Sequence, residues 1–125
     1  MAAGVVLQDP SGRIVEASEQ AARLLGVDGP AMLVGRAALF ETGMAIHPDG
    51  SAFPTHEQPA AMALRSGRAH PDTVLGFRRP GAETLWFTVR AEPLTRVGSS
   101  LPYMAASRFS PLAASFAIQN GRYNQ

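Results

Sequence analysis

The chain opens on Gly4-Val-Val-Leu-Gln8, an apolar run that predicts a short strand. Asp9-Pro10-Ser11-Gly12 has type I turn chemistry, with proline second and glycine fourth. Residues 13–17 return as a second strand and close a hairpin. Ser18 suits a helix N-cap, because its hydroxyl accepts from an orphan amide of the first turn, and Glu19 favours the positive end of the helix dipole. Ala21, Ala22, Leu24 and Leu25 make the apolar face, and Gly26 ends the helix. Residues 27–55 lack a long period. Residues 30–34 and 35–40 read as single helical turns, not strands, and His47-Pro48-Asp49-Gly50-Ser51 reads as a turn. Thr55-His-Glu-Gln58 has the form of a capping box. Pro59 follows where a missing amide is best tolerated. A helix is therefore predicted over residues 60–64, ending at Arg65-Ser66-Gly67. Residues 72–79, 84–94 and 101–109 alternate as strands and should form an antiparallel meander. Two strands, short helices and three strands suit an α+β domain, a five-stranded antiparallel sheet with helices on one face.

Composition narrows the function. The 125 residues fit one domain, and 46% hydrophobic with 17% charged residues is globular. With 11 basic and 10 acidic residues spread along the chain, net charge +1, there is no basic stripe to track phosphates. Nucleic acid is not an expected partner. The absence of cysteine excludes disulfides, thiolate metal sites and a cysteine nucleophile. The first seven residues have no basic n-region, and no apolar run approaches the roughly 20 residues of a membrane span. A cytoplasmic location and no membrane partner are the expectation.

These residues and their order resemble the PAS family. Residues 4–17 resemble its opening hairpin, and Ser18-Glu-Gln-Ala-Ala-Arg-Leu-Leu-Gly26 its next helix, with serine where the family usually has asparagine. Leu33-Val-Gly-Arg36 resembles a short motif that follows. Asp49-Gly-Ser-Ala-Phe-Pro54, Gln58-Pro-Ala60 and Ala63-Leu-Arg-Ser-Gly67 resemble a bacterial PAS subgroup that often precedes histidine kinase or diguanylate cyclase domains. Gly76-Phe-Arg-Arg-Pro-Gly81, Leu85-Trp86 and Ala91-Glu-Pro93 look like the last hairpin. The resemblance covers about residues 4–109. It implies a PAS-like domain over residues 1–110 and an atypical tail over 111–125. That tail lacks the family's Asp-Ile-Thr-like motif, and the usual N-terminal helix is missing, so both signal-transmitting ends are expected to differ.

The resemblance also assigns faces. Side chains alternate along a strand. With Phe87 inward, Val89 also faces in and Trp86 out. On this phase Val74, Gly76, Met104 and Arg108 are expected inward, with Leu75, Phe77, Tyr103 and Phe109 outward. The expected ligand-binding set is Phe40, Met44, Met62, Val74, Gly76, Phe87, Val89, Met104 and Arg108, with plain core packing as the competing reading. The methionines would make an adaptable apolar lining. The expected homodimer interface is Leu75, Phe77, Trp86 and Tyr103, since an outer apolar patch of that size marks an interaction surface.

Catalytic signatures are absent. His56-Glu57 begins like H-E-x-x-H, but Ala60 stands where the second histidine is required. No metal site is expected, and neither haem (through His56) nor flavin is favoured; flavin photoadducts need a cysteine. There is no G-x-S-x-G elbow or phosphate loop. The expected function is a non-catalytic sensory module of signal transduction, binding a small molecule or homodimerising, ahead of an effector domain. Alternatives are a ligand-free docking module and a small cone-shaped α+β enzyme.

Overall fold

A computed structural model describes residues 3–41 and 43–112. Strands β1 (Gly4–Gln8) and β2 (Ile14–Ala17) form the expected hairpin. Asp9 Oδ1 closes its turn by accepting from the Ser11 amide (2.9 Å), the Ser11 hydroxyl (2.6 Å) and the Arg13 amide (3.1 Å). Helix α1 (Glu19–Leu25) is capped by Ser18, whose Oγ accepts from the Ala21 amide at 3.1 Å and from the Val5 amide at 3.0 Å. One hydroxyl thus starts the helix and ties it to β1. Gly26 ends α1 in the left-handed conformation. A 3-10 turn, Pro30–Met32, leads to Gly35 and Arg36, which exchange backbone hydrogen bonds with Ile14 and cover the free edge of β2.

The sheet has six strands in the order β2-β1-β6-β5-β4-β3, all pairs antiparallel. It adds one strand to the expected five: β3 (Ala45–Ile46), which pairs with β4 (His70–Phe77) within a region read as helical turns. β5 (Leu85–Thr95) and β6 (Pro102–Pro111) are the long central strands. Helix α2 (Pro59–Ser66) packs on the inner face, where Ala60 and Ala63 meet Ala91 and Ala105. The capping box does not form. Thr55–Glu57 is a separate 3-10 turn, and Gln58 occupies the N-cap of α2 without a side-chain cap bond.

Register corrects two assigned faces. β5 has the expected phase, with Phe87, Val89 and Ala91 buried. On β4, Leu75 lies opposite Phe87 and Phe77 opposite Leu85, so both face inward, while Val74 and Gly76 face outward. The pairing shifts between His70 and Thr73, and an extra residue reverses the alternation. On β6, Phe109 lies opposite Val89 and Arg108 opposite Arg90. Phe109 is therefore buried, and Met104, Ala106 and Arg108 point outward. Placing the guanidinium in water avoids the large penalty of burying a charge. Tyr103 alternates with Ala105, not with Trp86. It is exposed at the end of the sheet, with the Arg96 guanidinium 4.6 Å from its ring centroid.

The core is aromatic. Phe40 sits among Phe77, Phe87 and Phe109, with ring centroids 5.6, 6.1 and 6.0 Å away. Two glycines are needed for close approach. A Cβ on Gly4 would lie 2.8 Å from both the Ala21 Cα and the Phe109 ring. One on Gly76 would lie 2.8 Å from the Trp86 indole and 2.9 Å from Ile46. Trp86 accordingly lies across Gly76 on the outer face and is only 8% exposed.

Candidate functional site

A cavity of about 290 Å³ opens between α2 and the inner face of the sheet. Its floor is Val89 and Ser107, and its walls are Leu39, Phe40, Pro59, Ala60, Ala61 and Leu64. The β1–β2 turn, Pro10 to Gly12, forms one lip. Thr55, His56 and Arg65 stand at the other side of the mouth. The volume is at the lower end for ligand sites, which run from roughly 300 to 1,000 Å³.

Three buried polar residues reach this apolar space. Ser107 and Gln8 are diagonal neighbours on the inner faces of β6 and β1. The Ser107 hydroxyl donates to Gln8 Oε1 at 2.8 Å, and Gln8 Nε2 donates to the Gly12 carbonyl at 2.9 Å. The chain of bonds links the cavity floor to its lip. Gln58 Nε2 donates to the Phe40 carbonyl (3.1 Å) and the Phe53 carbonyl (3.0 Å). Only the nitrogen end of the amide can sit between two carbonyls, so the orientation of Gln58 is determined chemically.

No ionisable side chain lines the buried part of the cavity among the described residues. Basic side chains are confined to the mouth, where Arg65 is exposed and the His56 side chain is 71% exposed. Asp9, under the lip, is held below its ordinary carboxyl value of 3.8 chiefly by the Ser11 hydroxyl; burial opposes this, and the Ser11 and Arg13 amides add to the lowering. Asp49 is lowered likewise by Ser51 in the 49–51 turn. Among the described residues, no three His, Asp or Glu side chains are grouped to hold a metal ion.

Of the residues expected to line a ligand site, Phe40 and Val89 do. Phe87 lies behind them in the core. Met44 and Met62 are half-buried away from the lining, and the Met62 Sδ is 2.8 Å from an Arg65 guanidinium nitrogen. Val74, Gly76, Met104 and Arg108 lie on the opposite side of the sheet. Of the expected interface, Trp86 alone is on the outer face; Val74 is diagonal to it there, while the exposed Arg90, Glu92 and Arg108 stand between it and the half-buried Val5, Leu7 and Met104. Sequence reading missed Gln8, Gln58 and Ser107. Gln8 was within reach, since it shares strand parity with the core residue Val6.

No protein-family model matches the chain, and no curated protein matches it. Solved structures do. The dark structure of the Aureochrome1 LOV photoreceptor aligns over 95% of this chain and 82% of its own at 20% identity, TM-score 0.67. The PAS domain of a LuxR-family transcriptional regulator from Burkholderia thailandensis, solved with ethanol, aligns over 90% of both chains at 20% identity, TM-score 0.55. The Vibrio cholerae VqmA dimer aligns over 90% of this chain at 12% identity, TM-score 0.63. The present chain spans 47% of that VqmA chain, about half its length. The six-stranded antiparallel sheet, with its short helices on one face, is the fold of PAS and LOV sensory domains.

Proposed function

We propose that the chain is a non-catalytic sensory module of signal transduction that takes a compact small molecule into the cavity between α2 and the sheet. The observation that carries this reading is the cavity itself: about 290 Å³, apolar-walled, with Gln8, Gln58 and Ser107 converging on it. Solved structures of similar fold supply precedent. VqmA is known bound to DPO, and the Burkholderia thailandensis PAS domain holds ethanol. A ligand here would bridge α2, the β1–β2 lip and β6, so binding would couple the helix to the central strands. The output belongs to an effector domain. A histidine kinase or diguanylate cyclase fits the motif resemblance, and the VqmA–ligand–DNA complex adds a transcription regulator as a third kind.

Homodimerisation is proposed through the outer sheet face. That face sets the half-buried Val5, Leu7, Val74 and Met104 among the exposed Arg90, Glu92 and Arg108.

A thermal-shift screen of small neutral compounds tests the sensory reading. Ala61 lies on the cavity wall of α2 and is half-exposed, so Ala61→Trp should fill the cavity without opening the core. Compounds that raise the Tm of the wild type and not of Ala61→Trp are expected. Hits that stabilise both equally would place binding elsewhere and refute the reading.

A further inference from the structure

Gln58 is 7% exposed, and both hydrogens of its amide nitrogen are engaged by the Phe40 and Phe53 carbonyls. Its Oε1 accepts no hydrogen bond among the described residues, yet it is not among the polar atoms sealed from contact. Gln58 is among the residues lining the cavity, the space from which a ligand would reach that oxygen. A second acceptor lies on the floor: Ser107 donates its only hydrogen to Gln8 and retains oxygen lone pairs. A ligand hydrogen bond to such an acceptor contributes roughly 0.5–1.5 kcal/mol. The lining thus offers acceptors to a donor, and its buried part presents no charge to balance an ion.

We propose that the cavity recognises an uncharged molecule of about ten non-hydrogen atoms, with an apolar body and an N–H or O–H that donates to Gln58 Oε1. The size follows from the volume, since a water molecule takes roughly 30 Å³ of liquid. This inference rests on the sensory reading above and names the ligand class for that site.

Indole and benzofuran separate the two claims. They share a bicyclic shape, and benzofuran has an oxygen in place of the N–H. Titration of the wild-type protein is followed by ¹H–¹⁵N correlation spectra, including the Gln58 side-chain amide. Indole is expected to shift Gln58, Ala61 and Ser107 saturably and to bind about tenfold more tightly than benzofuran, the factor of one hydrogen bond. Indole-2-carboxylate is expected to bind more weakly than indole; tighter binding would overturn the uncharged requirement and make Arg65 at the mouth a ligand contact. Equal affinities for indole and benzofuran, with the same cavity residues shifted, would overturn donor recognition and leave the ligand cavity standing. No shift at these residues with any of the probes would overturn both.

Discussion

Single residues hold several of the junctions in this protein. Ser18 accepts from two backbone amides, one in α1 and one in β1. Ser18→Ala should lower stability by about 1–2 kcal/mol, the range of a lost N-cap, measured by urea unfolding. An unchanged midpoint would mean that water replaces the hydroxyl at both amides. Asp9 acts through its charge. Its carboxyl titrates below 3.8 in the folded chain, so its stabilisation is present above that value and lost as pH falls through the lowered folded value. Asp9→Asn should flatten this part of the acid limb of a Tm-against-pH curve and have less effect on its slope near neutrality. Arg108 works the other way. It faces Arg90 directly across β5 and β6, both exposed, and like charges so placed are destabilising. Arg108→Glu should therefore stabilise by roughly 0.2–1 kcal/mol, and the gain should shrink in high salt.

Among the elements, those built by local chemistry were legible. Turn residues 9–12 and the Ser18 and Gly26 caps place β1, β2 and α1 within a residue of their observed bounds. Elements built by distant partners were not. β3 is two residues long and exists because β4 pairs with it. Residues 74–77 of β4 put apolar side chains on both phases, so composition does not reveal which phase is buried; the shift between His70 and Thr73 decides it. Gln58 looked like the end of a capping box because its true partners, the Phe40 and Phe53 carbonyls, lie on other segments. The packing of α1 on β1 depends on the missing side chain of Gly4. Gly4→Ala would press a methyl against the Ala21 backbone and the Phe109 ring. Overpacking of this kind costs about 1–3 kcal/mol, and a circular-dichroism melt should show a lower Tm. Wild-type stability in Gly4→Ala would mean that α1 shifts freely on the sheet.

For the molecule as a whole, the sheet separates two surfaces with different work. The inner face carries the phenylalanine cluster and borders the cavity beside α2. The outer face sets Val5, Leu7, Val74 and Met104 among the exposed charges of Arg90, Glu92 and Arg108. The measurement that tests the central claim most directly is mass spectrometry of the purified protein under native and denaturing conditions, beside Ala61→Trp. The account predicts a small-molecule mass retained by the wild type only in the native spectrum and missing from Ala61→Trp. The same retained mass on the filled variant would contradict it, because the molecule would then be held outside the cavity.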